Sequence, residues 1–203
     1  MDILGKLFGS EARVRLLRFF FLHPEEAFEP RGISRRIRVA PATLRKELAL
    51  LQSMKIIKKE KATIEIKTKH GAKHKKVPGF MFNSSFSHAV ELNNFLVSTD
   101  MVKKQAILSR FQRAGKIKLL LIAGVFIKDD TSRMDMLIVG DKLKRRTIDT
   151  IFQSLEAEAG TELRYAVLDT SDFKYRLEVH DRFIRDVLDY PHETVIDKLG
   201  IEA

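Results

Sequence analysis

The stretch that decides the fold is RGISRRIRVAPATLRKEL, at residues 31–48. Ile33 and Ile37 lie four residues apart, so a helix over about residues 31–38 would carry both on one face. A tight turn follows, and Pro41 has the fixed φ angle that suits the first position of a new helix. The stretch therefore predicts two short helices joined by a turn.

The second of these helices, predicted to reach about Met54, separates its apolar and polar residues. Leu44, Leu48 and Leu51 recur at three- and four-residue spacings and are predicted to face the core. Small and basic residues near the helix start then face solvent, as in a helix-turn-helix that meets base edges in the major groove. The predicted base contacts are Ala42, Thr43, Arg45 and Lys46, and the predicted backbone contacts of the preceding helix are Arg35, Arg36 and Arg38.

Another helix is predicted to precede this pair. Leu16, Phe19 and Phe20 recur with helical spacing after Ser10, whose hydroxyl suits an N-cap position. Pro24 is predicted to end that helix. The first third of the chain therefore reads as three helices.

The third helix is followed by a predicted β-hairpin. Residues alternate from Ile57 to Lys67, His70-Gly71 marks a turn, and residues 77–82 form a second strand. A basic segment between the strands is predicted to be a wing that follows phosphates or enters the minor groove. The alternative is a solvated loop without a role. The predicted contacts of the wing are Lys67, Lys69, His70, Lys73, Lys75 and Lys76.

The positive charge of the chain is concentrated in the same region. The net charge is +10 overall, and residues 1–80 hold 19 Lys and Arg against 8 Asp and Glu, a net of +11. Residues 81–203 hold 18 against 19, a net of −1. Because neutralised phosphates release condensed counterions, this segregation favours a polyanionic partner. It argues against a protein partner for the basic region and less firmly against RNA.

Composition excludes several other classes of protein. The chain has no cysteine, so disulfides, thiolate zinc sites and cysteine nucleophiles are ruled out. No apolar run approaches the roughly 20 residues of a membrane span, and the start of the chain lacks the pattern of a signal peptide. The expectation is a soluble cytoplasmic protein with no membrane partner, no cofactor and no metal.

The remainder of the chain is predicted to form a connector and a second domain. Two helices, at about residues 86–97 and 100–114, make the connector, and alternating strands and helices follow. The predicted strands are residues 119–127, 134–139 and 163–168, and the predicted helices are residues 147–159 and 173–188 with a short tail helix after Pro191.

Two segments of the first third resemble bacterial and archaeal winged-helix regulators. They are LFGSEARVRLL at residues 7–17, and TLRKEL at residues 43–48 leading into LQSMKII at residues 51–57. The resemblance covers roughly residues 4–83. It implies binding of double-stranded DNA, usually by a homodimer on a two-fold site.

The second domain resembles the minimal nucleotidyltransferase fold, through GVF at residues 124–126 and SRMDMLIVGD at residues 132–141. That family carries Gly-Ser and then Asp-x-Asp, whose carboxylates hold two magnesium ions. Here Val125 stands in place of the serine and Arg133 in place of the first aspartate, which leaves Asp135. Arg164-Tyr165-Ala166 stands where a third acid is expected. We expect a salt bridge between Arg133 and Asp135 instead of a metal site, and no enzymatic activity.

A degenerate site of this kind still offers a candidate ligand pocket, for a nucleotide effector. Its predicted members are Gly124, Arg133, Asp135, Asp141 and Lys142. The overall expectation is an α+β protein with a winged helix-turn-helix at residues 1–83, connector helices at 84–115 and a nucleotidyltransferase-like domain at 116–203. The predicted function is DNA-binding transcriptional regulation, with the second domain used for dimerisation or ligand sensing. The alternative is an active nucleotidyl- or adenylyltransferase that the winged helix targets.

Overall fold

The computed structural model describes residues 3–68, 71–98, 104–129 and 131–201. The chain combines helices and strands, which confirms the α+β class, and none of the described helices has the length and apolarity to cross a membrane. It divides into two compact units. The first holds residues 1–99 with 156–161, and the second holds residues 100–155 with 162–203.

The first unit is built from helices around one apolar core, with a hairpin after the fourth helix. Ser10 caps the second helix as predicted, because its hydroxyl oxygen accepts a hydrogen bond from the Arg13 N–H at 3.2 Å. Pro41 begins the fourth helix, also as predicted. The elements are α1 (Ile3–Leu7), α2 (Glu11–Leu22), α3 (Pro30–Ile37), α4 (Pro41–Ser53), β1 (Ile57–Thr68), β2 (Gly71–Phe82) and α5 (Ala89–Ser98).

The hairpin pairs β1 with β2 from Ile57 opposite Phe82 to Thr68 opposite Gly71. The second strand was predicted to begin at residue 77, and this is wrong. Its basic residues pair along β1, since exposed lysine side chains leave the backbone free to form the ladder.

A short extended segment between α2 and α3 joins the hairpin. Phe28 and Phe80 exchange two backbone hydrogen bonds of 2.9 Å each. Gly79 makes this approach feasible, because a Cβ atom there would lie 2.7 Å from the Phe28 carbonyl oxygen. The segment thus ties the loop before α3 to the base of the hairpin.

The second unit is a four-stranded sheet with helices packed on both faces. The strand order is β5-β4-β3-β6, with β4 and β5 parallel and the other pairs antiparallel. Alternate strand residues enter two apolar clusters, one with the side chains of α6 and α7 and one with those of α8 and α9. The elements are α6 (Lys104–Phe111), β3 (Lys116–Ile122), β4 (Met136–Asp141), α7 (Arg145–Ala159), β5 (Tyr165–Asp169), α8 (Thr170–Glu178), α9 (Arg182–Asp189) and β6 (Glu193–Asp197).

Three predicted elements of this unit are wrong. The strand predicted at 119–127 ends at Ile122, because Gly124 turns with a φ of +52° into a short 3-10 helix. The helix predicted at 173–188 is two helices, because His180 has a φ of +53° and Asp181 caps α9. The tail helix predicted after Pro191 is the strand β6, which pairs with β3.

The predicted connector is divided between the two cores. Leu96 of α5 is buried in the apolar cluster of the first unit. Ile107 and Phe111 of α6 are buried in that of the second. α5 begins three residues later than predicted and α6 ends three residues earlier. Each helix is part of the core in which its apolar residues are buried.

Candidate nucleic-acid interface

The turn between α3 and α4 is held by its own polar groups. Arg38 has left-handed backbone angles, with φ 52° and ψ 48°, and its N–H donates to the Ser34 carbonyl oxygen. The Ser34 hydroxyl donates to the Val39 carbonyl oxygen at 2.8 Å, and the Val39 side chain is buried. These contacts fix the angle at which α4 leaves α3.

A half-buried ion pair anchors α4 to α2. The Arg13 Nε atom lies 2.8 Å from Glu47 Oε2, and Glu47 is only 7% exposed. A second guanidinium nitrogen of Arg13 donates to the Phe8 carbonyl oxygen at 2.7 Å. Sequence analysis did not identify this pair, although Glu47 lies three residues after Leu44 and therefore on the apolar face. The pair holds α4 in place through its buried face, and the opposite face of α4 is exposed.

The outer face of α4 is exposed. Ala42, Thr43, Arg45 and Lys46 are all exposed while Leu44 is buried, which confirms the predicted orientation. The Arg45 Nε atom makes a long contact of 3.4 Å with the Pro41 carbonyl oxygen. Lys46 has no hydrogen bond or ion pair within the described residues. The role of these side chains stays a prediction.

Arg35 and Arg36 of α3 are exposed, and each has a neighbour. The Arg36 guanidinium lies over the Phe28 ring, 5.1 Å from its centroid. Arg35 lies 4.0 Å from Glu29, and its side chain is 81% exposed. Arg38 is exposed at the turn itself. Exposed ion pairs of this kind hold a side chain weakly, so the arginines stay available to a phosphate.

The hairpin carries more lysines than sequence analysis identified. Lys73, Lys75 and Lys76 are exposed on β2, whereas Lys69, His70 and the side chain of Lys67 lie outside the described residues. Sequence analysis omitted the exposed lysines of β1. Three lysines from the two strands line one groove: Lys59, Lys61 and Lys76. The run of consecutive charged residues at 58–61, directly after Ile57, is the signal that could have found them.

In the second unit, Asp135 is the centre of a buried polar cluster. It is 1% exposed, and its Oδ1 atom accepts the Val125 N–H at 3.0 Å. Its Oδ2 atom accepts the Arg164 N–H at 2.7 Å and lies 3.5 Å from Arg164 Nε. Gly124 packs so closely that a Cβ atom there would overlap the Asp135 carboxylate. The carboxylate therefore ties the end of β3 to the start of β5.

The predicted ligand pocket is not formed by the residues named for it. Arg133 pairs with Asp186 at 2.9 Å, so the expected salt bridge with Asp135 is wrong. Asp141 pairs with Lys118 at 3.2 Å. Asp135 directly precedes β4, and Asp141 is its last residue. At about 3.3 Å per residue, the two aspartates are roughly 20 Å apart. Because Gly124 lies beside Asp135, Asp141 and Lys142 lie far from Gly124.

The Asp135 cluster does not fit the two magnesium ions that the nucleotidyltransferase resemblance implies. Such ions need several carboxylate oxygens with open coordination positions. Both oxygens of Asp135 already accept backbone N–H groups, and the neighbouring charge is the Arg164 guanidinium. Within residues 3–68, 71–98, 104–129 and 131–201, no three His, Asp or Glu side chains come together as a metal site.

The loop before Asp135 contains a carboxylate with a perturbed pKa. Hydrogen bonds from the Thr131 hydroxyl, the Ser132 hydroxyl and the Thr131 N–H lower the pKa of Asp129. The two hydroxyl contacts measure 2.6 Å and 2.7 Å. A lowered pKa in the folded state stabilises the fold above the ordinary pKa of the carboxyl, and this stabilisation is lost as the pH falls through the folded-state pKa.

We expect Asp129→Asn to lower the unfolding midpoint at neutral pH. The gap from the wild type should begin to close below about pH 4, where the carboxyl is protonated in the unfolded chain, and should vanish once the pH is below the lowered folded-state pKa. Thermal unfolding followed at several pH values measures the gap. Asp149→Asn, an exposed control on α7, should leave no gap, and a gap for Asp129→Asn that persists in acid would contradict the assignment.

The comparisons with known proteins identify no relative. No protein-family model matches the chain, and neither does any curated protein or solved structure. The function is therefore inferred from the geometry and charge of the two units.

Proposed function

We propose that this chain is a DNA-binding transcriptional regulator whose first unit is a winged helix-turn-helix. The arrangement of α3, turn, α4 and a two-stranded hairpin supports this, as does the Phe28 segment paired with the hairpin base. In such a motif, the second helix of the pair enters the major groove and the hairpin contacts the backbone beside it.

One observation carries the proposal: the exposed start of α4 combines short and basic side chains on a firmly anchored helix. Ala42 and Thr43 permit close approach to bases, while Arg45 and Lys46 reach guanine edges or phosphates. The Arg13–Glu47 pair keeps the opposite face in place. A recognition helix needs this combination, because base readout depends on a fixed position relative to the groove.

The charge distribution supports a nucleic-acid partner. Residues 1–80 have a net charge of +11, and the described lysines of the hairpin are exposed. We expect a homodimer on a two-fold DNA site, since paired half-sites follow from a symmetric dimer. RNA is the alternative partner.

Anisotropy titrations of a labelled random-sequence duplex and a matched RNA hairpin, at several salt concentrations, test this proposal. The duplex should bind more tightly, with an affinity that falls steeply as salt rises. Tighter binding of the RNA hairpin, or no binding of either at low salt, would reject DNA as the partner.

For the second unit we propose a non-enzymatic role. Both oxygens of the Asp135 carboxylate already accept backbone N–H groups, and Arg133 is paired with Asp186. These contacts favour a non-enzymatic role over nucleotidyl or adenylyl transfer. The discriminating measurement is the melting temperature with ATP, with and without magnesium. A rise that requires both magnesium and ATP would favour the transferase alternative.

The hairpin lysines should contribute to affinity without sequence preference. We expect Lys73→Ala with Lys75→Ala to weaken binding of random and selected duplexes equally, and to reduce the slope of log affinity against log salt by about 1 to 2. Salt titrations by anisotropy measure the slope. Lys144→Ala with Arg146→Ala removes the same charge from the second unit and should have a smaller effect. Equal effects of the two pairs would contradict a hairpin contact.

A further inference from the structure

The second unit contains a cavity that sequence analysis did not identify. Its volume is about 500 Å³, within the range of small-molecule sites. The floor is the sheet face that carries Leu121 and Leu137, and α9 and the segment before β6 form the walls. Of the residues predicted to hold a ligand, only Arg133 lines it.

The interior of the cavity is apolar and adaptable. Met134 lies in the apolar cluster of the same sheet face and contributes a thioether side chain, which adjusts easily to different ligand shapes. Phe183 lines the cavity but is 39% exposed, so a large ring is left partly in water. A bound molecule that covered this ring would remove apolar surface from water.

The charges at the cavity favour a single anionic group. Arg133 is paired with Asp186, and the Asp181 carboxylate caps α9 by accepting the N–H groups of Phe183 and Ile184. Arg182 has neither a hydrogen bond nor an ion pair in the described part of the chain. It also begins α9, where a cation weakens a helix rather than stabilising it.

We propose that this cavity binds a small apolar molecule that carries one carboxylate, with Arg182 as its counter-ion. Two arginines and two aspartates line the cavity, so the described lining has no excess charge for the phosphates of a nucleotide. A monoanion needs only the unpaired guanidinium, and Arg133 at the same cavity can add a second donor. The apolar floor accommodates the rest of the molecule.

The probe on the full chain is the fluorescent dye 1-anilinonaphthalene-8-sulfonate, an apolar monoanion whose sulfonate stands in for the carboxylate. We expect saturable binding of one dye per chain. Arg182→Gln should weaken it by roughly tenfold, the loss typical of one charge-assisted contact. Arg185→Gln, on the same helix but outside the cavity lining, is the matched control and should leave binding unchanged.

Two further variants test the location of the dye. Val187→Phe fills the cavity and should abolish binding, whereas Val179→Phe adds the same ring at an exposed position outside it. Tyrosine fluorescence checks that each variant is folded. Because the Arg182 side chain has no hydrogen-bond or ion-pair partner among the described residues, Arg182→Gln should fold and remain informative even if Val187→Phe does not fold.

Competition identifies the ligand class. Phenylbutyrate should displace the dye, while the uncharged analogue phenylbutanol and ATP should displace it much less. Equal binding by Arg182→Gln and the wild type, equal displacement by the alcohol, or stronger displacement by ATP would each overturn the proposal. Absence of dye binding would overturn it as well. These titrations contain no DNA, so their outcome is independent of the proposed regulatory function.

Discussion

Replacing Arg45 and Lys46 together by alanine should weaken binding to a selected DNA duplex by roughly 30- to 700-fold. The basis is a loss of about 2 to 4 kcal/mol for one base contact and one phosphate contact, at about 1.4 kcal/mol per tenfold. Both side chains are exposed, and neither takes part in an ion pair in the described part of the chain, so the fold should be unaffected. The duplex is first selected from a random library, and anisotropy then measures its affinity.

The comparison between duplexes makes this experiment specific. A recognition helix loses more affinity for the selected duplex than for random DNA, because base contacts exist only on the selected site. The pair Lys144→Ala and Arg146→Ala controls for the loss of two charges. If the Arg45 and Lys46 variant loses no more affinity for the selected duplex than this control does, α4 does not read bases.

Replacing Asp135 by alanine should lower the free energy of unfolding of the second unit by about 3 to 5 kcal/mol. The substitution leaves the N–H groups of Val125 and Arg164 without their acceptor in a buried place. The Arg164 guanidinium also loses its carboxylate partner and keeps its hydrogen bond to the Ser132 carbonyl oxygen. A carboxylate kept for metal binding would behave differently, since its removal relieves unfavourable burial of charge.

Denaturant unfolding followed by tyrosine fluorescence measures this loss. The chain has no tryptophan, and its three tyrosines, Tyr165, Tyr175 and Tyr190, all belong to the second unit. The signal therefore reports that unit alone. Asp172→Ala breaks an exposed pair with Arg176 and should cost less than about 1 kcal/mol. A similar cost for both variants would remove the structural role assigned to Asp135.

The helices α2, α3 and α4 could be predicted from the sequence because their signals are local, whereas α1 was not predicted. Ser10 caps α2, Pro41 begins α4, and Leu44 and Leu48 set the buried face of α4. Once that face is known, the exposure of Arg45 follows from the helical period. These features depend on neighbours within a few residues, which are visible in the sequence itself.

The errors arose where distant segments decide the structure. The segment after Pro191 forms a strand because it pairs with the edge of β3. The local sequence does not indicate that this edge is available for pairing. Arg133 pairs with Asp186, which is 53 residues away in sequence. Glu47 is buried because Arg13 reaches it from another helix. The cavity beside α9 depends on the break between α8 and α9 at His180, where the sequence pattern is still helical but the backbone leaves the helical conformation.

The position of β6 in the sheet affects the order in which the chain can fold. β1 and β2 follow one another in the chain, so their pairing closes a short loop. In the pairing of β3 with β6, by contrast, Leu119 and Asp197 are 78 residues apart in sequence. Long loops close slowly, and an unpaired strand edge is a template for other chains. During synthesis, β3 therefore has an open edge until the last strand emerges, and this interval is when the second unit is most exposed to aggregation.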